Sequence, residues 1–318
     1  MLIGIDIGGT KCAVIKAESD GNSVEIKDKI RFETKGISPS EAIALFDCAI
    51  EKLCVGEKLD AVGISCGGPL DSEKGVILSP PNLIGWDDVH ITEHFTKKFG
   101  VPAYLQNDAN ACALAEWMYG AGRGTKNMIF LTFGSGLGAG LILDGKLYSG
   151  ANGNAGECGH IRLSEHGPAG YGKCGSFEGF CSGNGIASLA REKAREALQN
   201  GIKPAYCKSL DELYTITAKS VADAANAGDE TATMVYRICG EKLGYGLSIL
   251  IDILNPEAIV IGSVFARCEK LIREHAEKVI SREALGVSAK VCEIFTAKLG
   301  EQLGDYASIA VAEMNLKF

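Results

Sequence analysis

No run of the 318 residues stays apolar long enough to cross a bilayer. The longest, Leu247 to Leu254, is broken by Asp252 and stops at Asn255-Pro256, far short of the roughly 20 residues a spanning helix needs. A basic patch is also missing. Lys and Arg number 32 against 40 Asp and Glu, and a formal net charge of −8 repels nucleic acid phosphates and anionic membrane surfaces. Neither nucleic acid nor membrane is therefore expected as a partner. The chain has no C-x-x-C clamp: its 12 cysteines scatter from Cys12 to Cys292, none closer than Cys48 and Cys54, and most read as small buried hydrophobes in a reducing cytosol. Met1 to Ile7 lack a basic leader and a cleavage site, so a cytoplasmic protein is expected. With 46% apolar and 23% charged residues, disorder and coiled coil are excluded as the main architecture.

What the chain has in abundance is glycine, 40 residues clustered between short apolar runs, where tight turns and close ligand approach occur. Leu2 to Ile7 reads as a strand, Gly8-Gly9-Thr10-Lys11 as a turn and Cys12 to Ala17 as the returning strand. The same order recurs at Ile129 to Phe133, Gly134-Ser135-Gly136-Leu137-Gly138 and Ala139 to Leu143, turned by Asp144-Gly145 into Lys146 to Ser149. Two related units imply two similarly built α/β halves, as the length also suggests. Between them the spacing predicts a helix over Ser40 to Leu53, a buried strand over Ala61 to Cys66, a strand over Ala103 to Gln106 and an Ala-rich helix over Ala109 to Tyr119. After an irregular stretch, Gly150 to Gly185, helices are expected over Ile186 to Leu198, Val221 to Ala227 and Thr231 to Ile253, and a strand over Ala258 to Ile261. The expected domains are 1–117, with the last helix in 305–318 returning to it, and 118–304, packed around a cleft.

Asp6 stands at a strand end before Gly8 and Gly9, whose amides could cradle a phosphate, with Thr10 and Lys11 as further donors; from this motif alone a plain hairpin turn with a flanking charge is the favoured reading. The second glycine turn strengthens the phosphate reading. It is neither a G-x-x-x-x-G-K-[ST] loop nor a G-x-G-x-x-G opening a helix, because a strand follows it. Asn107-Asp108 sits where a strand meets a helix, a position for a base that takes a hydroxyl proton in phosphoryl transfer, or for a mere helix N-cap. Glu157, His160 and Glu178 lie in the glycine-rich stretch and could bind sugar hydroxyls; His160 could equally be a satisfied buried histidine.

In order along the chain, Asp6 to Lys11, Gly63-Ile64-Ser65-Cys66-Gly67-Gly68-Pro69, Pro81-Asn82-Leu83 with Gly85-Trp86, Gln106 to Ala111, Gly134 to Gly138 and Glu157-Cys158-Gly159-His160 resemble the motifs of the ROK family of repressors and kinases. The resemblance covers nearly the whole chain. It implies an α/β fold of two similar actin/hexokinase-like (ribonuclease H-like) domains flanking a cleft, and an ATP-dependent kinase acting on the 6-hydroxyl of a hexose. Glucose is the first expectation, with N-acetylglucosamine, N-acetylmannosamine, allose and fructose as alternatives. It implies Asp108 as general base and Gly68, Asn107, Asp108, Glu157, His160 and Glu178 as sugar-binding residues. Asp6, Gly8, Gly9, Thr10, Lys11, Gly134, Ser135, Gly136 and Gly262 would serve ATP, taken with Mg²⁺, and a homodimer or higher homo-oligomer would form. A sugar-responsive regulator is the competing member of the family, but the first phosphate motif starts at Asp6 and leaves no room for a preceding DNA-binding domain. The family's three zinc thiolates correspond to Ala169, Tyr171 and Ser176, so no structural zinc is expected; Tyr171 filling the vacated space is one way His160 could be held.

Overall fold

Buried positions alternate or run together from the second residue, and the chain starts as a sheet. The computed structural model describes residues 1–21 and 23–317. Strands β1 (Leu2–Ile7) and β2 (Lys11–Ser19) form an antiparallel hairpin with Ile7 opposite Cys12, and β3 (Val24–Glu33) pairs antiparallel to β2. Helix α1 (Pro39–Leu53) opens on a capping box: Ser38 Oγ accepts from the Glu41 amide, and the Glu41 carboxylate accepts from the Ser38 amide at 2.8 Å. Strand β4 (Ala61–Cys66), buried at every position, lies parallel to β1. Three short strands, β5 (Leu70–Asp71), β6 (Val76–Ile77) and β7 (Val89–His90), make a small antiparallel sheet. Helix α2 (Ile91–Phe99) ends on left-handed Gly100, β8 (Ala103–Asn107) pairs parallel to β4, and α3 (Asp108–Met118) follows with no intervening residue.

Next come β9 (Met128–Leu131), the hairpin β10 (Ala139–Leu143) and β11 (Lys146–Tyr148), and the small hairpin β12 (Ala169–Gly170) and β13 (Lys173–Cys174). Helices α4 (Phe177–Phe180), α5 (Gly183–Gln199), α6 (Ala218–Asn226) and α7 (Glu230–Leu254) precede β14 (Ala258–Ile261), α8 (Val264–Glu283), α9 (Gly286–Ala289), β15 (Glu293–Thr296) and α10 (Leu303–Lys317). Strand β14 runs parallel to both β9 and β15. Each expected helix and strand is present within a few residues of its expected ends; β3, α2 and the 20-residue α8 were not foreseen.

The chain divides into two compact units. The first holds Met1–Lys126, Gly140–Ala155 and the C-terminal residues from Lys298; the second holds Asn127–Ala139 and Gly156–Ala297. In the first, the sheet order is β3-β2-β1-β4-β8. One face buries Phe46 and Ile50 of α1 and Ile91 and Phe95 of α2 against Ile5 and Ile64, each fully buried side chain contributing roughly 1.5–3 kcal/mol. The other face takes α10, with Ile309 and Ala312 against Leu2, Ile15 and Ala61. Gly4 and Gly63 make that approach possible, because a Cβ on either would strike Ser308 of α10. The unit runs past the expected break at Trp117 because buried Glu116 accepts from the Ala121 amide at 2.8 Å and the Leu299 amide at 2.9 Å, tying both flanks to α3. In the second unit Phe130, Phe133, Phe177, Tyr236 and Phe265 are fully buried. No helix among the described residues is long and apolar enough to cross a membrane. The cysteines are free thiols among the described residues; Cys12, Cys66, Cys158, Cys181, Cys207 and Cys239 are buried, whereas Cys48 and Cys174 are exposed.

Candidate active site

Strand register groups the candidate residues of the first unit. Asp6 lies opposite Ser65, and Ser65 opposite Gln106; Ile7 lies opposite Cys66, and Cys66 opposite Asn107. Three parallel strands thus deliver their carboxyl ends side by side, the edge at which α/β sheets bind ligands. The turn that follows Asp6 is held by its own backbone. The Gly8 amide donates to Lys11 O at 3.1 Å, and Thr34 clamps it from outside, its amide on Thr10 O and its hydroxyl on Gly8 O, both at 3.1 Å. Gly9 has no space for a side chain, since a Cβ there would lie 2.6 Å from the carbonyl oxygen of Asn82. Thr10 and Lys11 remain exposed.

The helix cap falls one residue earlier than the N-cap alternative for Asp108 requires. Asn107 is the N-cap of α3, its Oδ1 accepting from the Ala109 amide at 2.9 Å, and Asp108 is the first helical residue. Asp108 Oδ1 shares the same Ala109 amide at 2.8 Å. Water reaches the Asp108 side chain, yet protein crowds it from most directions, and this desolvation pushes its pKa above the ordinary carboxylate value. The helix amide opposes the shift without cancelling it. Gly68 adjoins this pair: a Cβ on it would lie 3.4 Å from Asn107 Nδ2. Asp6 titrates at about 6, raised first by burial and then by the Asp305 and Asp108 carboxylates, with Lys29 and Arg31 opposing. Lys29 is itself engaged, its ammonium on the Asp305 carboxylate at the start of α10.

The second unit carries the second glycine loop and the remaining polar residues. The Gly134 amide donates to Gly136 O at 3.0 Å, and the Gly138 amide to Thr132 Oγ1 at 3.0 Å, closing the loop on itself. The Leu137 amide donates to Glu178 Oε2 at 3.0 Å, so the loop and Glu178 are bonded directly. Glu157 precedes the one-turn helix Cys158–His160; both Glu157 and His160 are exposed, which removes the buried reading of His160. Gly262 follows β14, its amide on Leu131 O at 3.0 Å, and Ser263, at φ 57°, lies beside Gly134.

Beside this loop lies a pocket of about 780 Å³ that the sequence reading missed. Asn184 of α5, Tyr214, Thr217, Asp223 of α6 and Arg267 of α8 line it. The Gly183 amide donates to Gly134 O at 2.7 Å, which makes loop and pocket contiguous. Arg191 fixes the outer wall, donating to Leu213 O and Ile216 O at 3.1 Å each. The missed signal is the recurrence of Phe265, Ile272, Ala276 and Val279, the buried stripe of α8.

Tyr171 does not fill the space left by the absent thiolates. It is 89% exposed at a left-handed φ of 44°, turned outward at the tip of the β12–β13 hairpin. The segment is held by hydrogen bonds instead: Lys173 Nζ donates to His160 O at 2.7 Å, Arg162 to Cys174 O at 2.8 Å, and Ser176 Oγ accepts from the Gly170 amide at 3.2 Å. Among the described residues no three His, Cys, Asp or Glu side chains are grouped to hold a metal ion.

The glucokinase of Halalkalibacterium halodurans is 33% identical over 310 residues, 95% of this chain and 92% of its own. The xylose repressor of Caldicellulosiruptor bescii is 31% identical over 242 residues, 76% of this chain but 59% of the repressor. Among solved structures, a ROK family glucokinase from Streptomyces griseus in complex with glucose and AMPPNP superposes with a TM-score of 0.75 at 29% identity, covering 98% of this chain and 99% of its own. The architecture is thus the α/β actin/hexokinase-like fold of two similar domains. The sequence model of the ROK family matches residues 2–313, and the chain belongs to that family.

Proposed function

We propose that the protein phosphorylates the 6-hydroxyl of a hexose, glucose first, with ATP as donor and Asp108 as general base. The observation that carries the reading is the placement of Asp108 at the carboxyl end of β8, next to Asn107 and Gly68, with a carboxyl group shifted toward working pH. Asp108 takes the proton of the 6-hydroxyl, the freed oxygen bonds to the γ-phosphorus, and the bond from that phosphorus to the β,γ-bridging oxygen breaks to release ADP. Asn107, Gly68, Glu157, His160 and Glu178 bind the sugar; the turn from Gly8 to Lys11, the loop from Gly134 to Gly136, and Gly262 serve the phosphates. The pocket between α5, α6 and α8 takes the adenosine, with Tyr214 as an aromatic wall.

Mg²⁺ enters with ATP as part of the substrate. Asp6 would face it: its carboxyl is raised to about 6 by burial and by the Asp305 and Asp108 carboxylates, which Lys29 and Arg31 do not offset, so a further cation would favour its ionised form. The cation would neutralise charge on the phosphates as they transfer.

A coupled assay of ADP release over glucose, N-acetylglucosamine, N-acetylmannosamine, allose and fructose tests the reading, with glucose expected to give the highest kcat/KM. Tight binding of duplex DNA at physiological salt together with no ADP release for any sugar would favour the regulator. In the same preparation zinc is expected well below one per chain, and chelation followed by excess Mg²⁺ should restore full activity, since Ala169, Tyr171 and Ser176 supply no thiolate. A tightly held stoichiometric zinc would show that Cys158, Cys174 or Cys181 builds a substitute site.

A further inference from the structure

We infer that Ser176 is a positioning residue for Glu178, its buried hydroxyl aiming that carboxylate at the second glycine loop and at the sugar. The sugar part of the inference rests on the proposed role of Glu178. Ser176 is fully buried and caps α4, a helix of a single turn with no stability of its own. Its Oγ accepts from the Gly179 amide at 3.1 Å and from the Gly170 amide at 3.2 Å, and donates to Gly170 O at 3.5 Å. Both lone pairs and the single proton of the hydroxyl are therefore used. Gly170 is the other half of the device: a Cβ on it would lie 2.8 Å from Glu178 Cβ and 2.9 Å from Cγ, so the strand that Ser176 holds is the wall against which Glu178 stands. The far wall is the loop itself, where a Cβ on Gly136 would meet Glu178 Oε2 at 2.7 Å and where the Leu137 amide donates to that same oxygen. Glu178 thus has one place to stand, fixed behind by Ser176 and Gly170 and in front by Gly136 and Leu137.

Removing the hydroxyl strands two buried amides and frees the helix turn that carries Glu178. In Ser176→Ala, with full chain and saturating ATP, the glucose KM should rise about tenfold while kcat stays within about threefold and the ATP KM is unchanged. Hydrogen exchange at the Leu137 amide, 39 positions away in sequence, should speed up about tenfold, because its acceptor has moved. A role confined to capping α4 would leave Leu137 protected, and unchanged protection there overturns the inference whatever the kinetics do. Ser176→Thr keeps the oxygen and should hold both readouts near wild type; it also decides the matter if the alanine variant folds poorly, since loss of Leu137 protection in a folded threonine variant overturns the inference as well. Glu178→Gln separates the two readings. An unchanged glucose KM in that variant removes Glu178 from the sugar site, and exchange at Leu137 in the Ser176 variants then still tests the positioning itself.

Discussion

Asp108→Asn is expected to lower kcat by about two to four orders of magnitude while glucose still binds. The substitution keeps shape and removes only the ability to take a proton. Helix α3 should survive it, because the cap is Asn107 and its bond to the Ala109 amide at 2.9 Å does not involve position 108. In the wild type the pH profile of kcat/KM should fall on the acid side, where the Asp108 carboxyl, raised by the protein around it, picks up a proton and stops acting as a base. Calorimetric glucose binding alongside steady-state kinetics checks both halves. A variant with near-normal kcat would take Asp108 out of the mechanism, and one that no longer bound glucose would make it a ligand before a base.

How much of this was legible depends on whether the signal is local. The β1 and β4 strands read clearly because burial makes them short apolar runs, whereas β8, buried only at Leu105, read from its lead into Asn107-Asp108; the register of the three then places Asp6 and Asn107 on one edge. Strand β3 was missed although Val24, Ile26, Ile30 and Phe32 alternate along it, since Asp28 interrupts the pattern and six charged residues dominate the composition. Helix α8 hid in the same way behind Arg and Glu, with its apolar stripe confined to every third or fourth position. Two features lie beyond any reading of segments. The pocket is assembled from α5, α6 and α8 by tertiary packing, and the bond from Leu137 to Glu178 joins a loop to the helix α4, which share no motif. Tyr171 shows the opposite hazard: an aromatic residue at the position of a missing thiolate invites a packing role, whereas its left-handed backbone in a hairpin turn points it outward.

The ligand-free Asp6→Asn variant is expected to be more stable than wild type at pH 7.5 and much less active. Asp6 titrates at about 6 in the folded protein against an ordinary value of 3.8, so between those limits the native state binds more protons than the unfolded chain. Stability from this group is then full below the unfolded value and lost as pH rises through about 6. Above that, ionised Asp6 costs on the order of 2–3 kcal/mol, most of it from burial and the rest from Asp305 and Asp108. Asparagine avoids the cost at every pH. Thermal unfolding followed from pH 4 to pH 8 should therefore show a gain of several degrees for the variant at pH 7.5 that shrinks toward zero near pH 4. Adding Mg·ATP should stabilise the wild type more than the variant, because a cation beside Asp6 would favour its ionised form, which Lys29 and Arg31 alone do not. A gain of equal size at pH 4 and pH 7.5 would mean that the charge of Asp6 is not its source, and no gain at pH 7.5 would mean that the folded protein does not raise the Asp6 carboxyl.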